Sequence, residues 1–267
     1  MKKMKLFGMI GAMIIAISSC ANPSSVKRSI YNDQQAAFDK FLSDRNSHKY
    51  DARNDIQKAE FLKQFETDLF NYVDSAKLFI NWTGKIKDIS TRDAGKNSTQ
   101  VKFTIYYEPE QYRKVEFNCL YIVNNDSLET DHIYNTVKNI SDYSTVYFDG
   151  FIRTTNDNTV KYDFHKPGDD LNLPYPDYDF FIIEVGSTSR GDSLSVNLQA
   201  AVECAYKITE PLKLNYQKKI SDAEQKARWN ALEPEFAAAK AKLTKEEDAY
   251  LNRLTNALAM NFLYGDD

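Results

Sequence analysis

At Ala76 the apolar periodicity of this chain changes from about four residues to two, the switch expected where helix gives way to strand. The helical side runs from Asn32 to about Ser75. Ala36, Ala37, Phe38, Phe41 and Leu42 form a first amphipathic stretch, interrupted at Asn46-Ser47-His48. Ile56, Ala59, Phe61, Leu62, Phe65, Leu69, Tyr72 and Val73 form a second stripe, which Asp51 or Asn54 could cap. On the strand side, Leu78, Ile80, Trp82, Gly84 and Ile86 alternate with more polar neighbours. A turn at 93–98 leads to Val101, Phe103, Ile105 and Tyr107, and after Glu108-Pro109-Glu110 come Val115, Phe117, Cys119, Tyr121 and Val123. Ile133, Tyr134 and Val137 predict one or two helical turns between Thr130 and Asn139. A fourth strand follows at Val146, Phe148, Gly150 and Ile152, and a fifth at Val160, Tyr162 and Phe164.

Past Phe164 a Pro- and Asp-rich loop precedes a strand at 180–185. From Leu194 to Ile208 alternate residues are apolar without a break, which predicts a strand, although Leu194, Leu198, Ala201, Val202 and Ala205 also fit a helix. From about Tyr216 the chain is rich in Ala, Glu, Lys and Leu and reads as a helical hairpin. Pro234 suits a helix start, and Thr244-Lys245-Glu246-Glu247 is a capping box opening a last helix faced by Tyr250, Leu251, Leu254, Leu258 and Phe262.

Three strands, a short helix and two strands over residues 76–165, with glycines inside the first and fourth strands at Gly84 and Gly150, resemble an OB-fold. It is similar to the OB-like domains of bacterial exported proteins. Glycine weakens a strand unless the chain bends or another backbone comes close, as closing a small barrel requires. The expected class is therefore α+β: an OB-like five-stranded antiparallel barrel flanked by N-terminal and C-terminal helices. The resemblance implies a binding surface on the outer face of the second and third strands. Tyr106, Glu116, Asn118 and Leu120 would point outwards there, with Tyr147, Phe151 and Arg153 on the fourth strand. Tyr106, Asn118, Tyr147 and Arg153 suit stacking and hydrogen bonding to sugar rings or peptide groups. Leu120, Ile122 and Phe151 favour the plainer alternative that flanking helices cover the face.

The chain opens with Lys2, Lys3 and Lys5, followed by a 12-residue apolar run from Leu6 to Ile17. That run falls short of the roughly 20 residues needed to span a bilayer and has the form of a cleaved export signal. Its ending, Ile17-Ser18-Ser19-Cys20, resembles the lipobox of bacterial lipoproteins, which implies lipidation of Cys20 after removal of residues 1–19. Two or more acyl chains make such an anchor stable, at about 0.8 kcal/mol per buried methylene. Residues 20–31 then form a tether. The Tyr-, Asn- and Lys-rich style resembles that of Bacteroidota, and the lack of acids from Ala21 to Ser25 implies an outer-membrane anchor facing the periplasm.

Removing residues 1–19, which hold three lysines and no acid, takes the formal charge from −4 to −7. With acids and bases interspersed, this argues against nucleic-acid binding. Seventeen Tyr and 16 Phe against 9 Gly and 7 Pro predict a folded chain. Cys119 and Cys204 could pair in an oxidising compartment, or stand as buried thiols. Neither a metal-ligand spacing nor a catalytic signature occurs, and no cofactor is expected. Asp177 with Asp179, or His165 with Asp169, would have to converge in a pocket to support a hydrolase. The organisation read from these features is a signal at 1–19, a tether at 20–31, a helical segment at 32–75, an OB-like β domain with extra strands at 76–210 and a helical hairpin at 211–267. The expected activity is that of a non-catalytic envelope module, bound to the membrane by its lipid and binding an envelope protein or a glycan, or acting as an adaptor through its C-terminal helices.

Overall fold

Asn54 accepts a hydrogen bond from the Gln57 amide at 3.0 Å and so starts the second of two N-terminal helices, α1 (Asp33–His48) and α2 (Asp55–Ala76). Lys77, at φ 56°, ends α2 with its N–H on the Val73 carbonyl, and the first strand begins at Phe79. The period change at Ala76 therefore marks a real boundary. The computed structural model describes residues 32–48, 51–110, 113–155, 157–163 and 177–263. The signal run, Cys20, the tether and the His165–Asp169 pair lie outside the described residues.

The sheet is built from β1 (Phe79–Gly95), β2 (Ser98–Glu110), β3 (Arg113–Asn124), β4 (Thr145–Ile152), β5 (Tyr162–Asp163) and β6 (Asp177–Gly186). A 3-10 turn and the helix α3 (His132–Asn139), capped by Asp131, stand between β3 and β4. Strand β1 pairs antiparallel with β2 and with β4, β2 with β3, and β4 with β6, while β3 and β6 run parallel. The pairing closes a five-stranded ring, β1-β2-β3-β6-β4 and back to β1. Two expectations are corrected. The ring is mixed, not purely antiparallel, and its fifth member is β6 rather than the strand predicted at 160–164, whose described residues supply a bridge from Val160 to Thr154 and the two-residue β5 on the edge of β6. Thr155 and Thr159 close the turn before these residues, the Thr155 N–H donating to the Thr159 carbonyl at 2.9 Å.

Aromatic rings fill the interior. Phe79, Trp82, Phe117, Phe148 and Phe180 are buried and stacked, tilted or edge-on to one another at centroid separations of 4.3–6.4 Å. Gly84 and Gly150 stand where strands come too close for a side chain. A Cβ on Gly84 would lie 2.5 Å from Ile105 Cγ2, and one on Gly150 would lie 2.2 Å from the Phe181 carbonyl oxygen. The predicted alternation along β1 fails at its start, because Asn81 adopts φ 53° in a bulge between the Phe79 and Trp82 pairings. Phe79 and Trp82, three residues apart, both face the interior, whereas Leu78 and Ile80 face outwards into a second apolar cluster.

Helix α1 packs Phe38 on Phe79, Trp82 and Tyr178 and, with α2, covers the end of the ring where β1 begins. Ile133 and Val137 of α3 pack into the same core near the end of β3, where Tyr121 donates to Asp131 at 2.6 Å. The chain closes with α4 (Val196–Tyr216), α5 (Asp222–Lys240) and α6 (Lys245–Leu263). Residues 196–208 are thus helical, correcting the predicted strand, and the 210/211 boundary falls inside α4. Ser195 caps this helix through the Leu198 amide, and Leu198, Ala201, Val202, Ala205 and Ile208 make its buried stripe. Pro234 lies inside α5 rather than at a start; Ser221 caps that helix instead. The capping box forms as read, Glu247 N–H to Thr244 Oγ1 at 3.3 Å and Thr244 N–H to Glu247 Oε2 at 2.9 Å. Helices α4 and α6 bury Phe151, Phe181 and Ile183 on the outside of β4 and β6. Among the described residues no helix is long and apolar enough to cross a membrane.

Candidate functional site

Cross-strand register brings three of the four proposed binding residues to one outer face. Tyr106 pairs with Glu116, whose carboxylate is held by Lys87 at 3.1 Å and by Lys114, and both lysines lie over the Tyr106 ring at 5.8 and 4.5 Å. Burial alone would raise the Glu116 carboxyl; the two ammonium groups overcome it and hold the group below its ordinary range. Asn118 pairs with Asp179 across the parallel β3–β6 ladder, and Arg153 meets Asp179 at 3.3 Å. Tyr147 sits elsewhere, opposite Thr83 and Gly186. The competing expectation of a covered face holds for part of it. Phe151 is buried beneath α4 and α6, and Leu120 and Ile122 border α6 beside Arg253 and Met260.

Cys119 and Cys204 are both free thiols. Cys119 belongs to the ring core, where burial pushes its thiol pKa up. Cys204 on α4 meets Glu235 of α5 at 3.5 Å. Among the described residues no group of three His, Cys, Asp or Glu side chains is placed to hold a metal.

Sequence reasoning missed a polar layer between the sheet and α6. Asp149, 2 % exposed, accepts from the Asn81 amide at 2.7 Å, from the Tyr250 hydroxyl at 2.9 Å and from Arg190, whose guanidinium lies 4.9 Å from the Tyr250 ring centroid. Burial raises the Asp149 carboxyl, against the opposing pull of Arg190 and the two donors, and burial beside this acid also raises Tyr250. Glu184 lies opposite Asp149 on β6. It binds Arg253, which also donates to the Ile183 carbonyl at 2.7 Å, and His132 at 2.7 Å. The bulged Asn81 completes the layer, donating to Asp192 at 2.7 Å and accepting from Ser189 at 3.1 Å. Every carboxylate here meets a donor, so the layer fixes α6 and the 187–192 loop on the sheet. Its signal in the sequence was Asp149 and Glu184 inside otherwise apolar strands.

A groove of about 770 Å³ opens between the end of α2, the start of β1, α4 and the end of α6. Leu78, Ile80, Phe151, Val202, Tyr206, Leu258 and Phe262 supply its apolar lining, and Asp74, Lys77, Glu203, Lys207, Glu210 and Lys213 its charged lining. Lys77 lies over the Tyr206 ring at 5.2 Å while its carbonyl accepts from the Tyr206 hydroxyl at 3.0 Å, and Lys207 pairs with Glu235 at 3.0 Å. Asp74, Glu203 and Glu210 have no ion-pair partner among the described residues. Among the described residues neither His nor Cys lines the groove. Such a surface can bury apolar groups and attract cations. None of the four predicted binding residues lies in it, because it is assembled from helices whose packing on the sheet strand patterning does not encode. A shallower polar hollow of about 590 Å³ lies between α3 and the start of β4, lined by residues such as Asn135, Thr136, Ser144 and Ser187. Compared with known protein families, with curated proteins and with solved structures, the chain matches none.

Proposed function

We propose that this protein is a bacterial envelope lipoprotein, held through Cys20 on the outer membrane facing the periplasm, whose ring-and-helix body is a binding module rather than a catalyst. The observation that carries the binding reading is the groove beside α4, with its apolar lining and three carboxylates that have no ion-pair partner among the described residues. The anchor reading is supported by the basic start, the short apolar run and Ile17-Ser18-Ser19-Cys20. An OB-like assignment for the ring is supported by five strands closing on themselves, by a helix after the third, and by glycines at the two close strand approaches. The favoured ligand is an envelope protein segment carrying apolar and basic side chains. The Tyr106 face, occupied by its own lysines, is the weaker site for a glycan.

Gentle solubilisation of membranes and affinity recovery tests the reading. A stoichiometric partner is expected with the wild-type chain and lost with E203K/E210K, substitutions at two exposed positions. Equal recovery by both would remove the groove from the account. A second reading, an adaptor, is favoured by α5, which has no buried residue, whereas Tyr250, Leu254 and Leu258 of α6 are buried within the chain. Loss of the partner on substitution of exposed α5 residues such as Lys226 and Arg228, and not of groove residues, would select it.

A further inference from the structure

The polar hollow between α3 and the start of β4 gathers hydroxyls that the fold leaves unused. Thr136 of α3, Ser141 and Ser144 of the following turn, Thr145 of β4 and Ser187 after β6 all line it, and none of these hydroxyls has a hydrogen-bond partner among the described residues. Asn135 and Asn139 are oriented by Nδ2 hydrogen bonds of 2.8 Å to the carbonyls of Glu129 and Asn135, which leaves each Oδ1 as a further acceptor. His132 is set by Glu184, its Nε2 lying 2.7 Å from that carboxylate, so Nδ1 is the nitrogen left for a ligand.

The walls are fixed from both sides. Ile133 and Val137 bury one side of α3 in the ring core, and the turn after it is laced to β1, with the Tyr143 N–H on the Ile86 carbonyl at 2.6 Å and the Ile86 N–H on the Ser144 carbonyl at 3.1 Å. Tyr143 stands in that turn between Ser141 and Ser144, at φ 67° and 64 % exposed. A bulky side chain in the left-handed region is held against a steric cost, and an exposed ring buries too little to offset it. The turn thus presents an open aromatic side chain next to residues that line the hollow.

Charge narrows the ligand. Apart from His132, the described lining holds no ionisable side chain, so a phosphate or carboxylate meets no fixed cation there. An amine meets no free carboxylate either, because the nearby Glu184 is committed to Arg253 and His132. Ile140 is the one aliphatic residue of the described lining, too little for an apolar peptide. A neutral sugar fits what remains: its hydroxyls donate and accept in turn, as do those of Ser and Thr, and its C–H face packs on an aromatic ring. The geometry points to a second binding site in this hollow, for neutral saccharides, with Tyr143 as the stacking platform and Thr136, Ser144 and Ser187 as hydrogen-bonding residues. The site is separate from the α4 groove, and the inference rests neither on the reading of that groove nor on the lipid anchor.

The test is saturation-transfer NMR of the purified full chain against tetrasaccharides of glucose, galactose, mannose and N-acetylglucosamine, with tetragalacturonate as the charged control. At least one neutral tetrasaccharide should bind, and the control should not. Y143G, which removes the ring and relieves the left-handed strain, should weaken that binding about tenfold without lowering the urea midpoint. S144A/S187A, which removes two of the hydroxyls, should weaken it several-fold. Absence of binding by every neutral sugar, equal binding of tetragalacturonate, or an affinity indifferent to both variants would overturn the proposal. Partner recovery from membranes reads the α4 groove and not this hollow, so loss of the sugar site leaves the groove reading to its own test.

Discussion

Gly150 and Asn81 mark the two ways single residues shape this ring. At Gly150 the neighbouring backbone is so close that an added Cβ would meet the Phe181 carbonyl oxygen at 2.2 Å, an atom that cannot swing away. Gly150→Ala should therefore cost about 3 kcal/mol or more in urea unfolding, the upper part of the overpacking range. Gly95→Ala, at φ +75° with nothing within 4 Å, should cost only about 1–2 kcal/mol of left-handed strain. Equal costs would contradict the close approach. Glycine inside a strand pattern announced Gly84 and Gly150 from the residues alone. Nothing announced Asn81, because an asparagine between apolar residues is as compatible with a regular strand as with a bulge at φ 53°. Glu116 supplies the pH prediction. Its carboxyl is lowered in the folded chain by Lys114 and Lys87, so its contribution is present above the ordinary glutamate range and is lost as pH falls through the folded value. The urea midpoint of the wild type should fall as the pH is lowered below about 4.3, and Glu116→Gln should flatten that acid limb. An unchanged slope would show that the two lysines do not bias this group.

Elements differed in how openly they were written. The helix caps at Asn54 and Thr244 were local, so α2 and α6 could be placed before any tertiary contact was known, and Ile133, Tyr134 and Val137 placed α3 by their spacing. Residues 194–208 carried both periods at once, and single-sequence patterning cannot choose between them. The structure chooses helix because Leu198, Ala201, Val202 and Ala205 fit against Phe151, Phe181 and Ile183 on a sheet face that already has its strand partners. The fifth strand was misplaced for a related reason: Val160 and Tyr162 alternate correctly, but the ring needs a strand long enough to bridge β3 and β4, and β6 is that strand. Helix α6 is fixed by both apolar and polar ties. Leu254→Ala, at a position with no exposure, should cost about 2–5 kcal/mol, and Thr244→Ala about 1 kcal/mol through the lost cap. Changes at Lys226 on the open side of α5 should stay within about 0.5 kcal/mol. Thermal or urea denaturation ranks the three, and a large effect at Lys226 would reveal a packing role for α5 that its exposure does not suggest.

For the whole molecule, the ring carries the helices and the helices make the groove. The class, α+β with flanking helices, was legible because it depends on local periodicity. The groove was not, since its walls come from α2, β1, α4 and α6, which lie far apart in the chain. The proposed function joins that groove to a membrane anchor at Cys20. The most direct measurement is membrane fractionation of wild type and Cys20→Ala with intact-mass analysis of the recovered chains. The account predicts a wild-type chain beginning at Cys20, carrying acyl groups and sedimenting with the outer membrane, and a Cys20→Ala chain without acyl groups released from it. A wild-type chain without acyl groups, or a Cys20→Ala chain still held in the outer membrane, would contradict it.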